Sequence, residues 1–143
     1  MIARKKLATI LTVLGSIISI GFGVWHFFVP SIWNWYSYID KTATELVLAV
    51  RAINIFFSLL LVLLGFANIL IITRKSQDKF STIVILSIST ILWMTRVILQ
   101  IIYPQGSQNL TIQYSMLLVF ILASACFIIS QLLTIREQAF ETS

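Results

Sequence analysis

Three residues that can carry a positive charge lie within or at the edge of long uncharged stretches of this chain: His26, Arg51 and Arg96. Asn54 follows Arg51 by three residues and Gln100 follows Arg96 by four. At 100° per residue, each amide therefore shares a helix face with its arginine. Arginine presents a fork of N–H donors that suits a carboxylate or a phosphate. The pattern predicts a pocket for an anionic or carbonyl group.

The stretch around Arg96 carries the most polar helix face in the chain. Its polar or amphipathic residues fall within about 80° of one another on a helical projection: Thr82, Ser89, Trp93, Arg96, Gln100 and Tyr103. Ionisable residues within membrane spans usually face the bundle interior or a cavity. The expected ligand-binding residues are His26, Arg51, Asn54, Trp93, Arg96 and Gln100. The expected lid consists of Trp33, Trp35 and Tyr36.

Each of the three basic side chains also has a plainer interpretation. Arg51 can mark the membrane interface, because residues 52–73 suffice to span the membrane without it. His26 can be a structural hydrogen-bonding residue near a helix end. Arg96 can snorkel outward along its own stem, although the 16 uncharged residues before it, 80–95, are too few to cross a bilayer.

The residues needed for most catalytic chemistry are missing from the sequence. It contains no H-E-x-x-H, Gly-rich phosphate loop, G-x-S-x-G or cysteine pair. One histidine and one cysteine leave no multi-histidine or multi-cysteine metal site within the chain. We therefore expect a protein that is not an enzyme and has no metal. We also expect no bound cofactor, with a quinone carbonyl kept as one candidate ligand beside a lipid headgroup and a small anion.

Composition assigns the chain to the integral membrane proteins. Hydrophobic residues make up 59% of its 143 residues and charged residues only 10%, whereas soluble domains carry about 25% charged residues. The net charge of +5 does not indicate a nucleic-acid partner, because seven of the ten Lys and Arg residues flank apolar runs. Membrane lipids are the expected partners, together with other membrane subunits or further copies of the chain.

Intervals without formal charge divide the chain into membrane spans. A helix of about 20 residues crosses a hydrocarbon core of about 30 Å. The sequence predicts an all-α four-helix bundle forming one membrane domain over residues 1–143, with spans at about 7–29, 46–72, 80–103 and 112–135. The first span is expected to be retained, since no small-x-small cleavage site closes it.

Basic residues predict the orientation of the bundle. Seven Lys and Arg residues lie at the N-terminus, in the 73–79 loop and at the C-terminus, whereas the opposite loops contribute only Lys41. Cytoplasmic loops are enriched in these residues. Both termini are therefore expected in the cytoplasm of a multi-pass cell-membrane protein. The aromatic run from Trp33 to Tyr38 is then expected at the outer interface.

Small residues form a second pattern on the first span. Gly15, Ser19 and Gly23 recur every four residues on one face. Small residues at this spacing let helix backbones approach closely in lipid, where packing drives helix association. They predict a seam at which the first span contacts another helix.

The end of the first span also resembles a known family. Residues 23–30, Gly-Val-Trp-His-Phe-Phe-Val-Pro, follow G-x-x-H-F-x-x-P, which resembles the first-helix ending of DoxX-like membrane proteins. That family comprises small four-helix proteins, some of which serve as subunits beside quinone-linked oxidoreductases. Its second helix often carries E-x-x-x-G, whereas this chain has Asn54-x-x-x-Ser58.

Three functional hypotheses follow from the sequence and the resemblance. The first is a ligand-binding or accessory membrane protein with a donor-rich pocket in the outer leaflet. The second is a structural or interaction subunit whose polar helix faces bind a partner's helices. The third is a transporter or channel subunit, which the absence of an intramembrane carboxylate or a polar pore-lining stripe disfavours.

Overall fold

The computed structural model of the protein describes residues 2–40, 42–74, 78–104 and 109–141. Its α-helices are α1 (Ile2–Ile32), α2 (Thr44–Thr73), α3 (Lys79–Ile102) and α4 (Leu110–Glu141), and a 3-10 helix, Trp35–Tyr38, follows α1. All four α-helices are long and apolar enough to cross a membrane. The predicted all-α, four-helix architecture is confirmed. Lys41 and Lys75, which enter the orientation argument, lie outside the described residues.

Helix α1 is longer than the predicted span at both ends. Its 31 residues rise about 46 Å at 1.5 Å per residue, more than the hydrocarbon core of about 30 Å. At the C-terminal end the helix continues through Pro30 to Ile32, although the span was predicted to end at Val29. Proline lacks the N–H that would bond the carbonyl four residues earlier, here that of His26. The helix persists because this carbonyl has another donor, described below.

Local signals set the turns that end and begin the helices. Asn34 adopts the left-handed conformation with φ 50°, which asparagine tolerates better than most residues, and the chain turns there into the 3-10 helix. We call the end of the bundle at residues 33–38 the aromatic end.

Asp78 caps α3 by accepting hydrogen bonds from the side chain and N–H of Ser81. These bonds hold the pKa of the Asp78 carboxyl below its ordinary value.

The helices do not pack equally against one another. Helix α1 lies between α2 and α4, α3 packs against α4, and α2 and α3 touch only sparingly. The apolar core lies where α1, α3 and α4 meet the inner face of α2, and its members are Phe22, Leu61, Leu86, Trp93, Met116, Phe120, Ala123 and Phe127. The sparse contact between α2 and α3 leaves that side of the bundle open.

The predicted small-residue seam of α1 contacts two neighbouring helices. A Cβ atom on Gly23 would stand 2.8 Å from the carbonyl oxygen of Ser58 on α2. A Cβ atom on Gly15 would stand 3.1 Å from the ring of Phe127 on α4. Ser19 between them is buried. The seam therefore lets α1 approach two helices, α2 and α4, whereas the sequence predicted contact with one.

Buried polar side chains link the helices away from the aromatic end. Thr12 and Ser130 share a hydrogen bond of 2.6 Å between α1 and α4. Asn68 on α2 donates to Ser89 on α3 at 2.8 Å. Because lipid offers no competing hydrogen bonds, such pairs add to packing as a source of helix association. They hold the helices together on the side of the core that lies away from the aromatic end.

Candidate functional site

Pro30, His26 and Asn54 form a connected unit between α1 and α2. Pro30 has no N–H to donate to the carbonyl of His26, and the side-chain amide of Asn54 donates to that carbonyl at 3.2 Å. The amide oxygen of Asn54 lies 2.8 Å from Nδ1 of the His26 ring. Asn54 is buried. One asparagine therefore holds both the backbone and the side chain of His26.

This pair of contacts fixes the proton arrangement on the His26 ring. Because the amide nitrogen of Asn54 donates to a carbonyl, its amide oxygen is the atom that faces Nδ1. A carbonyl oxygen only accepts, so Nδ1 carries the proton. In the neutral ring Nε2 is then an acceptor, and in the protonated ring it is a donor. The ring is packed against Phe57 at 4.8 Å and Trp35 at 6.2 Å between centroids.

Arg96 enters the same region from α3. Its guanidinium carbon lies 4.9 Å from the ring centre of Phe120 and 5.9 Å from the centres of Phe22 and Phe57. Cations within about 6 Å of an aromatic face are attracted by its quadrupole. Arg96 is half-buried, so its charge lies among aromatic rings from three other helices.

A cavity with three polar side chains in its lining lies where these groups meet. Its volume is about 230 Å³, and its lining residues are His26, Trp35, Val50, Ile53, Asn54, Phe57 and Arg96. Helices α1, α2 and α3 each contribute, and Trp35 comes from the 3-10 helix. We call this space the polar cavity.

A larger apolar space adjoins the polar cavity in the gap between α2 and α3. Its volume is about 430 Å³, and its lining residues are Phe22, Phe57, Leu61, Ile88, Ile91, Leu92, Trp93, Thr95, Arg96 and Leu99. Phe57 and Arg96 line both spaces. We call the larger space the apolar cleft. The two spaces therefore lie side by side, and the smaller one has Arg96, His26 and Asn54 in its lining whereas the larger one has almost only apolar side chains.

Trp93 lies in the wall of the apolar cleft and is almost fully buried. Its indole N–H donates to the hydroxyl of Ser19 at 2.8 Å. Trp93 thus positions α3 against the small-residue seam of α1, and offers a ligand its ring and not its N–H.

Arg51 and Gln100 lie away from the polar cavity, contrary to the sequence expectation of a shared pocket. Arg51 is exposed and places its guanidinium 5.4 Å from the centre of the Tyr36 ring. Gln100 is buried against α4, where its amide donates to the carbonyl of Gln113 at 3.5 Å. The reason is that α3 packs against α4 far more than against α2. The face of Gln100 therefore turns toward α4.

Sequence reasoning missed Phe57 and the role of Pro30 in this site. Phe57 follows Asn54 by three residues and so shares its helix face, which was the available signal. Pro30 stands four residues after His26, the spacing at which a missing N–H frees a carbonyl. Trp35 was expected in a lid, and it lines the polar cavity.

The donor set suits an oxygen-bearing ligand better than a metal. Among residues 2–40, 42–74, 78–104 and 109–141, no group of three or more His, Cys, Asp and Glu side chains could hold an ion. The polar cavity instead holds the Arg96 guanidinium, whose N–H groups bind carboxylate, phosphate or carbonyl oxygens, beside an imidazole and a carboxamide that can hydrogen-bond to an oxygen-bearing ligand.

Comparison of the chain with protein-family models, with curated proteins and with solved structures finds no match.

Proposed function

We propose that this protein is a membrane-embedded binding protein that holds an oxygen-bearing group of its ligand at Arg96, His26 and Asn54. The observation that carries the proposal is the polar cavity itself, which brings these three side chains together from three helices. A cation within a bilayer costs about 2.5–3.5 kcal/mol at the helix centre on insertion scales and less near the interface. An anionic or carbonyl group at the guanidinium offsets that cost.

The proposed chemistry divides the roles among the three residues. Arg96 supplies the charge and the planar donor fork. His26 supplies Nε2, which accepts from a ligand hydroxyl when the ring is neutral and donates when it is protonated. Asn54 positions His26 through both of its contacts. A lipid headgroup, a quinone carbonyl and a small anion are the ligand classes that this set can bind.

We further propose that the aromatic end faces outward from the cell membrane and that both termini are cytoplasmic. The Lys and Arg asymmetry of the sequence supports this orientation. Arg96 lies seven residues before Tyr103, or about 10 Å along the helix. The polar cavity would then lie in the outer leaflet.

Membership of the DoxX-like group is part of the same proposal. Its support is the G-x-x-H-F-x-x-P pattern, in which His26 and Pro30 are coupled through Asn54. Such a protein would serve as an accessory subunit beside a membrane enzyme.

A structural subunit without a small ligand is the second candidate. It is favoured by the apolar cleft, since α2 and α3 leave a gap that a partner's helix could fill. The two candidates differ in their dependence on Arg96, because a helix in the cleft would be held by packing and not by the guanidinium.

Retention of small molecules by purified protein tests the proposal. Wild type, Arg96→Lys, Arg96→Leu and Arg51→Leu would be extracted in the same detergent, and bound molecules identified by mass spectrometry. Lysine keeps the charge but lacks the planar fork, so Arg96→Lys should weaken retention and Arg96→Leu should abolish it. Arg51→Leu is the matched control, because Arg51 lines neither space. Unchanged retention by a folded Arg96→Leu protein would contradict the proposal.

A further inference from the structure

The two adjoining spaces specify a class of ligand more closely than the polar cavity does alone. We infer that the ligand is an anionic amphiphile whose headgroup occupies the polar cavity and whose hydrocarbon chain lies in the apolar cleft between α2 and α3. The inference rests on the proposed function, since it takes the headgroup contact at Arg96 from it.

The shared lining of the two spaces is the first support. Phe57 and Arg96 belong to both linings, so a molecule bound at the guanidinium has the cleft directly beside it. The cleft is lined by apolar side chains apart from Thr95 and Arg96. A small water-soluble anion would use only the chamber of about 230 Å³ and leave the cleft of about 430 Å³ unused.

Charge and direction are the second support. On α3 the cleft is lined from Ile88 to Leu99, and Arg96 lies eight residues after Ile88 in the half nearer the aromatic end, or about 12 Å along the helix. The direction from Arg96 to Ile88 leads from the aromatic end toward the middle of the bundle. A lipid in the same leaflet also has its charged group near the interface and its chain toward the membrane centre.

Access is the third support. The cleft opens on the side where α2 and α3 touch only sparingly, and Ile88 and Ile91 on its rim are 48% and 67% exposed. In a membrane these positions face lipid. The ligand would therefore enter sideways from the bilayer, and the aromatic residues above the polar cavity need not open for it.

Alkyl phosphates of two lengths can separate the headgroup site from the chain site. Dodecyl phosphate carries a long chain, whereas the four-carbon chain of butyl phosphate is too short to reach Ile88 from Arg96. Binding of each probe would be measured on the full-length protein in an uncharged detergent by native mass spectrometry. Because each methylene moved from water into the cleft contributes about 0.8 kcal/mol, wild type should bind dodecyl phosphate more than about tenfold tighter than butyl phosphate when each affinity is expressed against the probe free in water and not in micelles.

Filling the cleft should remove the chain contribution alone. Ile88→Trp places a large ring in the cleft far from Arg96 and should reduce dodecyl phosphate binding about tenfold or more while leaving butyl phosphate binding unchanged. Met94→Trp is the matched control, because Met94 is 39% exposed on α3 but lines neither space. That variant should bind both probes as wild type does.

The outcomes separate this inference from the proposed function. Wild-type affinity of Ile88→Trp for dodecyl phosphate would overturn the chain assignment, even if Arg96→Leu loses both probes. Loss of dodecyl phosphate in Ile88→Trp with unaltered binding in Arg96→Leu would support the chain site and overturn the headgroup site. Equal affinity of wild type for the two probes would overturn the amphiphile and leave a small anion as the ligand.

Discussion

The coupling between Pro30 and Asn54 can be tested by a double-mutant cycle. Asn54→Ala removes the donor to the His26 carbonyl and the acceptor for His26 Nδ1–H. Pro30→Ala restores a backbone N–H four residues after His26, where an α-helix places the donor for that carbonyl. In the Pro30→Ala background, Asn54→Ala should therefore lower the free energy of unfolding only through the lost contact with the imidazole.

The expected energies follow from the two contacts, which measure 3.2 and 2.8 Å. Interhelical hydrogen bonds in membrane proteins contribute about 0.6 kcal/mol on average and at most about 1.7. Asn54→Ala alone should thus lower the free energy of unfolding by about 1–3 kcal/mol. With Pro30→Ala present, the loss should be smaller by about 0.6–1.7 kcal/mol.

Unfolding in mixed micelles, followed by circular dichroism as denaturing detergent is added, would give the free energies of the four proteins. Ser58→Ala is a suitable control, because the Ser58 hydroxyl donates to the Asn54 carbonyl within α2 and should show no coupling to Pro30→Ala. The link between the proline and the asparagine would be refuted if the changes in unfolding free energy of the two single variants sum to that of the double variant within about 0.3 kcal/mol, the usual limit for independent sites.

Three further predictions concern the rest of the molecule. Gly23→Ala should lower the free energy of unfolding by about 1–3 kcal/mol through overpacking. Gly21→Ala is the control, because nothing lies within 4 Å of its added Cβ, and it should raise the melting temperature. Equal changes in melting temperature for the two variants would contradict the seam. The orientation can be tested with single cysteines at Ser107 and Ser76, two positions outside the described residues, in a cysteine-free background. An impermeant reagent added to intact cells should label the cysteine at position 107 and not the one at position 76. Labelling at position 76 would reverse the orientation. The contribution of Asp78 to stability should be present above its ordinary pKa of 3.8 and be lost as pH falls through the lowered folded value, so a pH profile unchanged by Asp78→Ala would disprove the cap.

The sequence was sufficient to predict the four helices and their approximate bounds. Uncharged stretches of spanning length, separated by basic or Pro-containing segments, leave few alternatives in a bilayer. The helix ends were less predictable. Continuation of α1 past Pro30 depends on a donor from α2, which is a tertiary contact and cannot be read from local sequence.

The lining of the site could be predicted only in part, because it too depends on tertiary contacts that local sequence does not show. Helical periodicity marked Arg96 as a residue of a polar face, and similar depth along the spans suggested that Asn54 lies near His26; in the structure the three residues line one cavity. Periodicity does not say which neighbour a face meets, so Gln100 was expected in the pocket although it packs against α4. Arg51 lies one helical turn closer to the start of α2 than Asn54, where its long side chain reaches Tyr36.

An experimental structure of the protein extracted with its native lipids tests the central claim most directly. We predict non-protein density in the polar cavity, with an oxygen-bearing group in contact with the Arg96 guanidinium and close to the ring of His26. An empty cavity in such a structure, with the Arg96 side chain extended instead toward the membrane surface, would contradict the proposed function.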